Sequence, residues 1–190
     1  MALPQPDPTV LRKAQRGDEQ AFAAIVRQYQ GLVFNYVLRF VRDRQVAEDL
    51  TQEIFFRVFR SLKSFSSNAL FTTWLFRVTK NRVIDEVRAM ERQPRTVEFD
   101  DAPPLQIVEP PPEVQETMDA VWRAVAQLDV DLKMALLLRD VVGLSYQEIA
   151  DSLDITLATV KWRIYCARQS IQVALAQDGF ESDTAAVATP

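Results

Sequence analysis

Apolar residues recur at three- and four-residue spacing along most of this chain, a pattern that predicts a string of amphipathic helices. The register is clearest in residues 47–63, AEDLTQEIFFRVFRSLK. On a helical wheel Ala47, Leu50, Ile54, Val58 and Leu62 form an apolar stripe, and Asp49, Gln52, Glu53, Phe56, Arg60 and Lys63 gather opposite it. Phe56 is thus a large ring in the middle of a polar face. Such a ring fits a docking surface, but single exposed apolar residues are also ordinary, and periodicity leaves both readings open.

The same spacing predicts the other elements. After a Pro-punctuated start expected to fray, residues 9–16 read as a helix stopped by Gly17, and Asp18 then caps a second helix over 19–40. Its expected core is Phe22, Ile25, Val26, Tyr29, Val33, Tyr36, Val37 and Phe40, with Gly31 the weak point. The helix holding Phe56 follows a turn at Asp43 and Arg44 and ends near Ser64. Residues 64–72, SFSSNALFT, make a polar loop rimmed by Phe65 and Phe71, and a long helix covers 71–92. One side of that helix carries Phe71, Trp74, Val78, Asn81, Arg82, Asp85, Arg88 and Arg92; the other carries Phe76, Val83, Ile84 and Val87. Trp74 with arginines behind it fits either core plus a solvated face or a track for nucleic acid, where a ring stacks on a base and cations follow phosphates.

Residues 94–112, PRTVEFDDAPPLQIVEPPP, break the pattern: six of the chain's ten prolines and four acids, with no helical period, predict an extended linker. Beyond it a helix over 113–128 is expected to bury Val114, Met118, Val121, Trp122 and Val125, and a Leu-rich helix over 130–142 closes at Gly143. Ser145 and Glu148 then have capping-box spacing, Ile149, Ala150 and Leu153 give a short helix, and Asp154 occupies a turn. Thr156 caps a last helix to about residue 176, with Leu157, Val160, Ile164, Ala167, Ile171 and Leu175 as its buried stripe. Two short capped helices around a tight turn predict a helix-turn-helix, the alternative being a plain hairpin in a small bundle. Opposite the stripe lie Ala158, Thr159, Trp162, Tyr165, Cys166 and Gln169, flanked by Lys161, Arg163 and Arg168. The acidic, small-residue end of the chain reads as a disordered tail.

Composition narrows the chemistry. The chain has 190 residues, no His and one Cys, so neither a disulfide framework nor a Cys/His metal site is expected, and the commonest general base is missing. No apolar run reaches membrane-spanning length and the start lacks the marks of a signal peptide, which together point to a cytoplasmic protein. The net charge of −4 conceals an asymmetry: Lys and Arg against Asp and Glu number 15 to 10 in residues 1–93, 1 to 6 in 94–116, 6 to 7 in 117–176 and 0 to 3 in 177–190. A basic first domain followed by an acidic connector and tail suggests nucleic acid at one end of the molecule.

Four stretches in this order, RGDEQAFAAIVRQY (16–29), AEDLTQEIFFRVFRSL (47–62), FTTWLFRVTKNRVIDEVR (71–88) and LLLRDVVGLSYQEIADSLDITLATVKWRI (136–164), give the chain a close resemblance to bacterial RNA polymerase sigma factors of the extracytoplasmic-function type, in the sigma-70 superfamily. The resemblance implies an all-α protein of two small helical domains. Residues 1–93 would be a region 2 bundle for polymerase binding and minus-ten recognition and melting, 94–113 the acidic linker, 114–177 a region 4 helix-turn-helix reading the minus-thirty-five element, and 178–190 the tail. It further implies that Asp49, Gln52, Glu53, Phe56 and Arg60 meet the clamp coiled coil of the largest polymerase subunit. Phe65, Ser66, Asn68 and Phe71 would surround the pocket for an extruded minus-ten base, with Trp74, Asn81, Arg82 and Arg88 on the helix beside it and Asp85 orienting an arginine. Thr159, Lys161, Trp162, Arg163, Tyr165, Arg168 and Gln169 would face the minus-thirty-five DNA.

The chain departs from the family pattern at Trp162 and Cys166, where small polar and basic residues are usual, and at Asp154, where the turn commonly has Gly. The implied partners are core RNA polymerase (clamp coiled coil and flap), promoter DNA and an anti-sigma factor of the kind often anchored in a membrane. No cofactor, metal or small-molecule substrate is expected. A helix-turn-helix regulator with a sensory first domain is the rival reading; an enzyme lacks a catalytic constellation, and a structural adaptor would leave the capped helix-turn-helix unexplained.

Overall fold

The computed structural model describes residues 3–66, 69–92 and 112–180, and over these all regular structure is helical. The order is α1 (Pro8–Gln15), α2 (Glu19–Val41), α3 (Arg44–Ser61) with a 3-10 turn at Leu62–Ser64, α4 (Phe71–Arg92), α5 (Pro112–Gln127), α6 (Val130–Asp140), α7 (Tyr146–Leu153) and α8 (Leu157–Gln177). The first four helices form one bundle and the last four another. The proline-rich segment falls almost wholly outside the described residues, and so does the tail from residue 181.

In the first bundle the apolar stripe of α3 is buried throughout and packs on Ile25, Tyr29, Val33, Tyr36 and Val37 of α2 and on Leu75, Phe76 and Val83 of α4. Tyr36 stacks between Phe40 at 5.1 Å and Phe76 at 5.7 Å, and burial pushes its phenol far above the ordinary value. The N-terminal segment does not fray as its prolines suggest. The Tyr29 hydroxyl donates to the Pro4 carbonyl at 2.6 Å, and Gln5 both donates to Thr72 Oγ1 at 2.7 Å and accepts from the Thr72 amide at 3.3 Å. That amide belongs to the first turn of α4, where no intrahelical acceptor exists, so Gln5 caps a helix 67 residues away. Asp7 caps α1, which starts at Pro8, accepting from the amides of Thr9 and Val10.

The second bundle is closed by local chemistry that the pattern foretold. Ser145 and Glu148 form a complete capping box, with Glu148 N donating to Ser145 Oγ at 3.2 Å and Ser145 N donating to Glu148 Oε2 at 2.8 Å. Asp154 holds the turn at φ 59°, a left-handed conformation that a short polar side chain tolerates, and Thr156 caps α8 through the amide of Thr159.

Three expectations need correcting. Val114 and Met118 are exposed, as is every residue of 114–119; α5 enters the core from Ala120 on, through Ala120, Ala124, Val125 and Leu128 with Val121 and Trp122 partly buried beside them. Leu157 is also exposed: it is the first residue of α8, one turn before Val160 meets α6 and α7. Finally, Asp178 to Phe180, expected within the tail, close α8: with Gly179 at φ 84°, the amides of Gly179 and Phe180 donate to the carbonyls of Ala176 and Leu175.

The bundles touch at two places. Ser152 Oγ, fully buried, donates to the Thr73 carbonyl at 3.1 Å, while Arg77 and Lys80 of α4 donate to the carbonyls of Asp151 and Leu153. The negative end of α7 therefore receives its cations from the other domain. At the second contact the Arg39 guanidinium lies 3.4 Å from the centre of the Trp122 ring, and Arg42 and Lys133 both donate to the Ala126 carbonyl, at 2.8 and 3.0 Å.

Lys133 is buried against Phe40, and desolvation, assisted by the Arg42 charge, pulls its ammonium down to about 8. Between that value and the 10.5 of an unperturbed lysine the folded form sheds a proton that the unfolded chain keeps. Stability should therefore rise as pH increases through this window, by at most about 3 kcal/mol. Thermal denaturation followed across pH 8 to 10.5 should show that rise in the native chain and lose it in Lys133→Met.

Candidate nucleic-acid and protein interfaces

The outward face of α3 is built from residues the core has no use for. Asp49, Gln52, Phe56 and Arg60 are all exposed, Phe56 at 60%, and the Arg60 guanidinium sits 5.8 Å from the Phe56 ring centre. Below Phe56, Phe59 leans on Phe22 of α2 at 4.9 Å, extending the aromatic surface in a way the wheel did not suggest.

Glu53 differs from its neighbours. Its carboxylate accepts from Arg82 Nε and from Arg57 Nη2, both at 2.6 Å, and those bonds, Arg82 first, hold it below the usual carboxylate range. Arg82 also reaches Glu86 at 3.0 Å, and Asp85 lies 3.9 Å from Arg57. A ladder of ion pairs thus ties α3 to α4. The expected DNA contact Arg82 and the expected protein contact Glu53 are here each other's partners, and Asp85 faces an arginine.

Around the loop before α4, Phe65 and Phe71 are buried, at 7% and 2% exposure, and pack edge to face at 5.8 Å. Trp74 rests on both, at 5.1 and 5.7 Å, and remains half-buried. The two phenylalanines are therefore the floor under Trp74. Ser66 and Leu70 are exposed at the rim, and Asn68 lies outside the described residues. Asn81 and Arg88 stand in solvent further along α4.

A cleft of about 580 Å³ opens beside Trp74, with Leu70, Thr73 and Arg77 on one wall and Asp151, Asp154 and Thr156 of the helix-turn-helix on the other. Neither Arg77 nor Lys80 stands out in the sequence as a contact between domains. Only the packing of α7 on α4 gives them that role.

On α8, Val160, Ile164 and Ala167 are buried, and the opposite face projects Trp162 and Tyr165 at 61% and 64% exposure. Lys161 and Gln169 are exposed beside them, and Thr159 is half-buried with its hydroxyl 2.7 Å from that of Thr156. Arg163 and Arg168 point back to α6, pairing with Asp131 at 2.6 Å and Asp140 at 2.9 Å. The second bundle also carries a groove of about 630 Å³ between α5, α6 and α8, lined by Val121, Trp122, Leu136, Val141 and Ile171 among others. No cluster of metal-ligating side chains occurs among the described residues, and no helix there is long and apolar enough to cross a membrane.

Residues 25–93 match the family described as Sigma-70 region 2, and residues 118–171 match Sigma-70, region 4. The RNA polymerase sigma-H factor of Pseudomonas aeruginosa is 34% identical over 186 residues, covering 92% of this chain and 96% of that protein. The ECF RNA polymerase sigma-E factor of Escherichia coli is 34% identical over 176 residues, covering 87% and 92%. Among solved structures, CnrH in complex with the cytosolic domain of CnrY superposes with a TM-score of 0.71 at 21% identity, covering 92% of this chain and 99% of that one. The sigma factor RpoE of Bartonella quintana, crystallised with the anti-sigma factor NepR, gives 0.69 at 21% identity, covering 83% and 98%. Both show that the two-bundle fold is shared.

Proposed function

Because this chain belongs to the extracytoplasmic-function sigma factors of bacterial RNA polymerase, we propose that the three surfaces described above divide its work between them. As a sigma factor it binds core polymerase and directs it to promoters. In our reading the first domain, to residue 93, anchors through Asp49, Gln52, Phe56 and Arg60 to the clamp coiled coil, with Glu53 shaping that face from its edge. Ser66, Asn68, Trp74, Asn81 and Arg88 receive the opened minus-ten strand, over a floor of Phe65 and Phe71. Arg82 joins them only by leaving its carboxylates. The second domain presents Thr159, Lys161, Trp162, Tyr165 and Gln169 to the minus-thirty-five element, with Arg163 and Arg168 at its sides. Its apolar groove is suited to a segment of the polymerase flap. The protein works in the cytoplasm, catalyses nothing itself, and is held in check by an anti-sigma factor that covers these same faces.

The observation that carries this reading is the coexistence, on one chain, of an uncovered aromatic face on α3 and a fully capped helix-turn-helix. A second observation adds a conformational requirement. The two promoter elements lie roughly 25 base pairs apart, about 85 Å along B-form DNA. Here α4 and α7 are in hydrogen-bond contact, so the closed arrangement cannot address both elements at once. The 19 residues from 93 to 111 can span about 65 Å when extended, which together with the widths of the bundles suffices to open the molecule.

Transcription reconstituted with core polymerase on a promoter library tests the reading. The factor should form a one-to-one complex with core enzyme and initiate from a defined subset of promoters, while binding promoter duplex weakly alone. A dimer that bound duplex tightly without polymerase would instead favour the helix-turn-helix regulator.

A further inference from the structure

We propose that the minus-thirty-five element of this factor is read largely through thymine methyl groups, by Trp162 and Tyr165 of α8, rather than through guanidinium contacts to guanine; this rests on the sigma-factor reading above. The outward meridian of α8, opposite Val160, Ile164 and Ala167, carries no charge: Ala158, Trp162, Tyr165 and Gln169 occupy it. The two rings are three residues apart, hence neighbours on one face, and both are more than half exposed. They lie in the helix that follows the turn of the helix-turn-helix, the element that enters the major groove. Leaving two large rings in water is unfavourable, and the thymine methyl is the apolar group that a base pair offers in that groove.

The arginines that would read guanine are turned elsewhere. Arg163 is 18% exposed, with its guanidinium 2.6 Å from Asp131, and Arg168 is paired to Asp140. Both are anchored to α6, on the two shoulders of α8 instead of its crest. The exposed Arg168 pair is worth little and can open toward a phosphate. From a shoulder, though, it positions the helix without reading sequence. Lys161, exposed on the other side of Trp162 from Arg163, fits the same role.

Deoxyuridine removes only the methyl group of thymine, so it isolates the contact. Holoenzyme assembled from core polymerase and the full chain is to be bound to its preferred library promoter in three forms: unmodified, with deoxyuridine at every minus-thirty-five thymine, and with deoxyuridine at the same number of spacer thymines. The native factor should lose about fourfold in affinity per contacted methyl in the second form, the worth of one buried methyl-sized group, and nothing in the third. Trp162→Ala and Tyr165→Ala should bind the unmodified promoter more weakly and respond less to deoxyuridine. Equal binding of all three forms by the native factor overturns the inference while leaving the sigma-factor reading intact. Equal losses by Trp162→Ala on the unmodified and deoxyuridine promoters also overturn it and assign the ring to a protein contact. Failure to initiate from any promoter in the library would overturn both readings together.

Discussion

Locking the two bundles together should abolish promoter-directed initiation while leaving the factor able to bind polymerase. A disulfide between positions 73 and 152 would make the lock, since Ser152 Oγ already lies 3.1 Å from the Thr73 carbonyl across the contact between the bundles. In a Cys166→Ser background, Thr73→Cys with Ser152→Cys should form that bond under oxidant. The oxidised protein should lose more than about 100-fold of its promoter-dependent transcription, because contact with one of the two elements is forfeited. Reductant should restore it. The α3 face is exposed in the closed form, so core binding should survive oxidation. Full activity from fully cross-linked protein would show that α7 need not leave α4.

The second large effect is expected at Phe56. A ring that is 60% exposed in the free chain and central in the proposed docking face is the type of residue whose truncation costs an interface most. Phe56→Ala should weaken core-polymerase binding by about 30-fold or more, corresponding to a loss of about 2 kcal/mol, with helicity and melting temperature unchanged. Asp49→Arg, also exposed, should act in the same direction. Glu53 is a poor probe of the same face, since reversing its charge would break its bonds to Arg82 and Arg57 and loosen α3 from α4. Undiminished core binding by both Phe56→Ala and Asp49→Arg would move the anchor off this helix.

Much of the architecture is legible without coordinates. The stripe of Ala47, Leu50, Ile54, Val58 and Leu62 is buried as the period requires, residues 71–92 are one helix, and the capping box at Ser145 forms as its spacing demands. These features depend on residues a few positions apart, whose geometry the helix itself fixes. The errors fall where a neighbour distant in sequence decides. Gln5 orders the N-terminal segment by capping α4; Val114 and Met118 are apolar but stand exposed on α5; and that Phe65 and Phe71 pack beneath Trp74 is likewise beyond what the loop's own pattern shows.

The same division runs through the candidate site. Periodicity and charge are enough to single out the face around Phe56, the outward face of α8 and the separation of a basic stretch from an acidic connector. Which of the charges remain available depends on the fold: Arg82 is taken by Glu53 and Glu86, Arg163 by Asp131 and Arg168 by Asp140, each a pair formed with another helix or, for Glu86, one turn along. Arg77 and Lys80 become ties between domains only because the carbonyl end of α7 arrives beside them. A linear chain specifies its helices and their apolar faces through interactions within one or two turns. What covers each face, and which opposite charge each side chain meets, is settled only when helices far apart in sequence are packed together, because burial and Coulomb attraction depend on distance in space.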